Sequence, residues 1–195
     1  MNGITNIVHQ LAQRKVGIAG AGGLGSNVAL ALARSGVGSL VVADNDVVTT
    51  GNLNRQYYFT SQLGKAKTVA LQENIRNAAP HCRVEGHCVR VTPSNAATLF
   101  GICDVVVEAF DQATEKEWFI SFMTATFPQK PLVAASGMAG WGRFQTLSIQ
   151  QSGTLYLCGD QQEAVSLDCP ALAPRVGIVA MMQANQVLDL LLTQS

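Results

Sequence analysis

Lys15-Val-Gly-Ile-Ala-Gly-Ala-Gly-Gly-Leu-Gly25 runs from a short apolar segment into a cluster of glycines, after which Leu24, Val28, Ala31, Leu32 and Ser35 recur at helical spacing until Gly36. The pattern predicts a buried strand over 15–19, a tight turn and a helix. In such a turn Gly20 permits the sharp exit from the strand, Gly22 with Gly23 beside it lets a phosphate approach the backbone, and Gly25 lets helix and strand pack closely. The first helical turn aims unpaired N–H groups at the same place. Glycines at this spacing also make turns that bind nothing, so other groups must carry the functional reading.

Outward from this stretch the apolar rhythm alternates strand and helix. Leu40–Ala43 reads as a second strand, Leu71, Ile75 and Ala78 mark a helix that Pro80 closes, and Cys82–Val91 follows as a strand. Val105–Val107 and Leu132–Ala135 are continuous apolar runs of the kind that parallel strands buried on both faces show, with a helix over Thr114–Thr126 between them. This alternation calls for right-handed crossovers and a Rossmann-like, doubly wound, mainly parallel α/β sheet. After Gly140 the pattern changes. Arg143–Ile149 and Thr154–Leu157 predict strands separated by a polar turn at Gln150–Gly153, an antiparallel addition at the sheet edge. Val176–Leu192 is a helix apolar on more than one face, to be covered by the sheet or by a second subunit. Without internal repeat, low-complexity segment or linker, residues 1–195 are expected to form one domain.

Apolar residues make up 48% of the 195 and charged residues only 13%, which favours a covered partner surface, most simply a homodimer. The thirteen basic and thirteen acidic side chains cancel, so no global field draws nucleic acid or an anionic membrane. Met1–Lys15 carries its positive charges only at its end and is interrupted by His9, Gln10 and Gln13, unlike a signal peptide. No uninterrupted apolar run reaches the roughly 18 residues that a bilayer span needs. A cytoplasmic protein is expected. The five cysteines are odd in number and irregularly spaced, and read as free thiols.

Asp44, at the end of the second strand, stands where a carboxylate bonds ribose hydroxyls, a placement that fits NAD as well as ATP. Asp46 has three open roles: binding ribose, holding magnesium or capping the following loop. The segment Asp44-Asn-Asp-Val-Val-Thr-Thr-Gly-Asn-Leu-Asn-Arg-Gln56, then Gly64-Lys-Ala-Lys67 and Asp111, adds groups for handling a triphosphate and its metal. With these motifs the sequence resembles the ThiF/MoeB/HesA superfamily, the bacterial relatives of ubiquitin-activating enzymes, over nearly its whole length. The compact size and Ala134-Ala-Ser-Gly-Met-Ala-Gly140 look most like the short ThiF-like subfamily linked to thiamine biosynthesis.

The resemblance implies adenylation: the C-terminal carboxylate of a small ubiquitin-like sulfur-carrier protein, ending in Gly-Gly, attacks the α-phosphate of ATP. A carboxylate is already nucleophilic at neutral pH, so the barrier is negative charge meeting negative charge, and cations should dominate the site. Arg55 can grip phosphate oxygens in a fork, and Lys67 can act as a point charge on the phosphate under attack or on the leaving pyrophosphate. Asn52 and Gln56 can donate amide hydrogen bonds to the nucleotide, and Asp111 can hold magnesium. Arg55, Lys67 and Asp111 are all expected to face solvent at the sheet edge. The family's spacing from glycine places the lysine role on Lys67 rather than Lys65.

The chain departs from its relatives in lacking the paired Cys-x-x-Cys motifs that hold a structural zinc, so no zinc is expected. Gln112 stands where relatives often have Asn, and no clear counterpart exists for an N-terminal arginine reaching into a partner's ATP site, Arg14 lying too close to the first strand. Cys169, in Ser166-Leu-Asp-Cys-Pro170, is the tentative candidate for a covalent intermediate and Cys158 a weaker one, while Cys82, Cys88 and Cys103 read as small buried thiols. Two other functions compete. An NAD-dependent oxidoreductase would leave Arg55, Lys67 and Asp111 without a task, and a non-catalytic ATP-binding partner or sensor would bind nucleotide without releasing pyrophosphate.

Overall fold

Residues 2–162 and 165–193 are described by the structure, a computed structural model. Seven strands form one sheet: β1 Lys15–Ala19, β2 Ser39–Ala43, β3 Arg83–His87, β4 Val105–Glu108, β5 Leu132–Ala135, β6 Ser148–Ser152 and β7 Leu155–Gly159. Their spatial order is β3-β2-β1-β4-β5-β7-β6. Every pairing is parallel except β6 with β7. The chain winds outward from β1 in one direction through β2 and β3, then returns to the other side of β1 with β4. The reversal opens a crevice beyond the carboxyl ends of β1 and β4, the place where such sheets bind ligands.

Helices α1 Asn2–Ala12, α2 Gly23–Ser35, α3 Lys67–Ala78, α4 Pro93–Phe100, α5 Ala113–Thr126 and α6 Ala173–Thr193 surround the sheet. One core, with Val16, Ile18, Leu40 and Val42 of the sheet, lies under α2, α3 and α6, and another, with Val41, Val106 and Leu132, lies under α4 and α5. By length and composition α6 could cross a bilayer. Here, however, its buried Gln183 donates to Glu108 O at 3.0 Å and Val133 O at 3.3 Å, which ties it to the central strands as a core helix.

Several expectations are corrected. The Cys82–Val91 segment pairs only over Arg83–His87, because its partner β2 ends at Ala43, opposite His87, and leaves later residues no ladder. Arg143–Ile149 is not a continuous strand: Arg143 takes a left-handed conformation, Phe144–Thr146 form a 3₁₀ turn, and pairing begins at Ser148. The two C-terminal strands do form the expected antiparallel pair at the sheet edge, with β7 joined in parallel to β5. Helices α1 and α4 are additions to the expected pattern.

The glycine turn is as tight as the sequence requires. Gly20 has φ +100°, and a Cβ on it would lie 2.7 Å from Ala109 O, so β4 could not approach. A Cβ on Gly25 would lie 1.9 Å from Gly20 O. Gly25→Ala is therefore expected to push α2 off the end of β1 and cost about 3 kcal/mol or more. In thermal melts this should lower the midpoint by roughly 10 °C; an unchanged midpoint would mean that the turn can relax.

Candidate functional site

A cavity of about 510 Å³ opens at the crevice. Gly20, Gly22, Gly23, Asp44, Asp46, Arg55, Gln56, Lys67 and Asp111 line it, bringing together nearly all the residues singled out by the sequence. A larger cleft of about 680 Å³ lies elsewhere, lined by Arg14, Asp104 and Lys130 among others, and holds none of these motif residues. Arg14 is thus away from the glycine turn.

Asp44 is a structural clamp as well as a cavity wall. Its Oδ2 accepts the Ala21 N–H at 2.7 Å and its Oδ1 accepts the Asp46 N–H at 2.7 Å, fixing the glycine turn to the loop after β2. The buried Tyr58 hydroxyl donates to Ala21 O at 2.7 Å from the other side. Burial, reinforced by Asp44 and Asp46, pushes that phenol far above the ordinary tyrosine range, so it stays a neutral donor.

Lys67 is the first residue of α3 and, against expectation, is buried, its side chain only 6% exposed. Its Nζ reaches Asp46 Oδ2 at 2.7 Å, and its N–H donates to Asp46 O at 2.9 Å. Asp46 thus takes the role of lysine partner, which none of its three expected roles covered. The ammonium is aimed at the cavity by a rigid helix start instead of floating at an edge. Lys65, by contrast, lies half-exposed and pairs with Glu73 at 2.8 Å.

Arg55 is partly exposed, and its Nη1 donates to Gly51 O at 3.0 Å and to Asn54 Oδ1 at 2.7 Å. Asn27 of α2 secures this segment by donating to Gly23 O at 2.7 Å and Arg55 O at 3.0 Å. Gln56 is buried, and its Oε1 has no hydrogen-bond partner. Besides the donor that the sequence suggested, the amide thus offers an acceptor, suited to a hydroxyl or amino group of a ligand. Asp111 is exposed in the turn between β4 and α5.

Three expected residues lie off the cavity lining. Asn52 accepts the Thr49 N–H at 2.9 Å and caps the 3₁₀ turn Thr50–Asn52, and its peptide oxygen receives the N–H groups of Arg55 at 3.2 Å and Gln56 at 2.9 Å. It aims those two residues. Gly25 packs α2 on β1. Cys169 sits behind Gly140, whose Cβ, if present, would lie 2.8 Å from the thiol sulfur. Burial pushes the Cys82 thiol up to about 11 and Cys103 and Cys158 up to about 12, so none is a thiolate near neutral pH. Cys158 is thereby a poor nucleophile, and Cys88 is exposed, not buried.

Sequence reasoning did not single out Asn45, Arg90, Glu115, Met138, Ala171 or Val176, which also line the cavity. Arg90 and Glu115 pair across one side at 2.5 Å, and Trp118 donates to Glu115 at 2.6 Å. Those two hydrogen bonds, the indole's first, hold the Glu115 carboxyl below its usual range. Among the described residues no group of three or more His, Cys, Asp or Glu could hold a metal ion. Asp111 fits a magnesium ion that arrives with phosphate oxygens, since that ion is commonly held by one or two carboxylates plus a substrate's phosphates.

Fold and cavity together define an open α/β protein with a glycine-walled, cation-bearing crevice at the point where its strand order reverses. The chain belongs to the ThiF family, whose profile matches residues 5–195. It is 31% identical over 191 residues to the adenylyltransferase and sulfurtransferase UBA4 of Candida glabrata, covering 94% of this chain and 43% of that protein. The uba4 protein of Emericella nidulans is likewise 31% identical, over 93% of this chain and 40% of its own length. The chain thus spans less than half the length of these curated relatives. Among solved structures, E. coli tRNA N6-threonylcarbamoyladenosine dehydratase, TcdA, in complex with ATP superposes with a TM-score of 0.87 at 23% identity, over 97% of this chain and 90% of that one. E. coli MccB superposes with a TM-score of 0.75 at 20% identity, over 98% and 58%. At these identities the structural likeness speaks for the fold.

Proposed function

We propose that this protein is an ATP-dependent adenylyltransferase acting on the C-terminal carboxylate of a small ubiquitin-like sulfur-carrier protein, in thiamine or a related sulfur-transfer biosynthesis. The observation that carries the proposal is the convergence of the glycine turn, Asp44, Arg55, Gln56, Lys67 and Asp111 on one cavity. The substrate carboxylate attacks the α-phosphorus of ATP, the bond to the bridging oxygen breaks, and pyrophosphate leaves. No general base is needed. Lys67 and Arg55 offset the charge that builds on phosphate oxygens, the glycine turn presents N–H groups, and Asp44 and Gln56 offer acceptors to the nucleoside. Magnesium held at Asp111 would neutralise further phosphate charge. Nicotinamide chemistry gives these cations no task, which weighs against an oxidoreductase.

Two features support the assembly. Ile178 and Met181 are each 44% exposed on α6, consistent with a homodimer that covers them. Trp141 and Phe144 are 67% and 65% exposed on the loop that follows β5, an apolar surface for the incoming protein beside the cavity wall. After adenylation, once its loop moves from Gly140, the Cys169 thiol would take the acyl group as a thioester, giving up its proton as AMP leaves. Adenylation itself does not use that thiol, so Cys169→Ala is expected to leave pyrophosphate exchange unchanged; a lost exchange would place the sulfur in the first step.

The test is isotope exchange between pyrophosphate and ATP with magnesium, with and without a panel of carriers ending in Gly-Gly. Exchange dependent on one carrier is the expected result. ATP binding without exchange with any carrier would favour a non-catalytic partner protein or another carboxylate. An RNA-linked carboxylate is a second reading, favoured by the 90% coverage of the tRNA-modifying neighbour. The balanced charge of thirteen basic and thirteen acidic side chains disfavours it.

A further inference from the structure

We infer that Glu108, paired with Lys116, is a positioning residue that sets the turn bearing Asp111, and so governs turnover if the site adenylates as proposed above. Glu108 ends the central strand β4 with its side chain fully buried. Lys116 Nζ lies 2.9 Å from both carboxylate oxygens, and the Phe110 N–H donates to Oε1 at 2.7 Å. Glu108 O accepts from Gln183 of α6 at 3.0 Å. Glu108 therefore joins β4 to α5 and α6, three residues before the exposed Asp111.

The turn itself is fixed at both ends. The Ala109 N–H donates to Ala19 O at 2.9 Å, and the Lys116 N–H donates to Gln112 O at 3.1 Å. The Phe110 ring is held edge-on against Phe119 at 5.4 Å between centroids. Between these anchors the Glu108 carboxylate accepts the Phe110 N–H and so holds the Ala109–Phe110 peptide, one residue before Asp111. A buried ion pair is a poor source of net stability, since apolar replacements of similar volume are often neutral or better. What this pair supplies is a fixed direction for the chain. Misplacing a reacting group by about 1 Å can cost a hundredfold in rate.

The experiment compares the wild type with the double variant Glu108→Leu/Lys116→Met, which removes the acceptor of the Phe110 N–H and both charges, so that neither charge is left buried alone. Carrier-dependent pyrophosphate exchange is expected to lose about tenfold to a hundredfold in kcat while KM for ATP stays within about threefold, because Arg55, Gln56, Lys67 and the glycine turn are untouched. Amide hydrogen exchange at residues 110–112 should speed up while β1 and β4 keep their protection. A merely structural pair would lower the melting temperature and leave kcat of the folded protein unchanged, and that result would overturn the inference. Should the double variant fail to fold, Lys116→Arg keeps the charge but displaces the carboxylate, and must show the same kcat loss. If the wild type binds ATP but catalyses no exchange with any carboxylate, the adenylation reading fails by itself. Amide exchange at 110–112 then decides: unchanged protection in the variant sinks the positioning role as well.

Discussion

Lys67→Ala is expected, if the site adenylates as proposed, to lower carrier-dependent pyrophosphate exchange by about a hundredfold to a thousandfold while the protein stays folded. The magnitude follows from what the ammonium does in a site where anion meets anion: it is a preorganised charge held by α3, and removing one such donor costs about 3–4 kcal/mol of transition-state stabilisation. Folding should survive, because the partner left behind, Asp46, has a side chain 61% exposed that water can solvate. Alanine is also a good residue at a helix start. Asp46→Asn removes the partner but keeps the cation and should lose less than about tenfold, the scale of a half-exposed ion pair. The two variants separate charge from aim. If Lys67→Ala kept full exchange, the phosphate cation would have to be sought elsewhere, first at Arg55; if Asp46→Asn were as damaging as Lys67→Ala, the carboxylate would itself contact the nucleotide or its metal.

The same lysine shows how far the sequence reaches. Its spacing from Gly64, read against the family's pattern, singled it out over Lys65, and of the two it is Lys67 that lines the cavity. Its burial and its partner were not legible, because Asp46 and Lys67 meet only after β2 and α3 are packed side by side. Asn52 was readable as part of the nucleotide motif, yet Thr49-Thr-Gly-Asn52 also carries a capping-box pattern, and in the fold that local role is the one its side chain plays. The missed helix α4 had a signal of the same kind. Thr92 caps it, Pro93 is its first residue, and Asn95 returns a bond to the Thr92 N–H at 2.8 Å. Strand ends were misjudged where hydrophobic alternation continued past the last available partner, as after His87. Central strands were legible because burial on both faces leaves only apolar residues tolerable there; the polar bonds that shape the cavity rim join residues far apart in sequence and have no periodicity to announce them.

Arg175→Met is expected to be strongly destabilising, costing about 3–5 kcal/mol. The Arg175 and Asp160 side chains are each only 4% exposed and form an ion pair. The guanidinium Nη1 also donates to Gly142 O at 2.6 Å, and the other Asp160 oxygen accepts the Gln162 N–H at 2.9 Å. One cation thus ties the first turn of α6 to the loop after β5 and to the loop after β7. Removing it strands a carboxylate where water does not reach, and the cost is that of an uncompensated buried charge. For a chain of 195 residues this should lower the melting midpoint by roughly 10 °C. Arg175→Met/Asp160→Asn removes the orphan charge and should recover a large part of the loss, so a double-mutant cycle reads the coupling directly. Exchange should suffer too, since Met138, Ala171 and Val176, carried by the tethered segments, form one wall of the cavity. A drop of less than about 2 °C for the single variant would show that Asp160 finds water or turns outward, and that the loops beside the cavity are held by their backbone bonds alone.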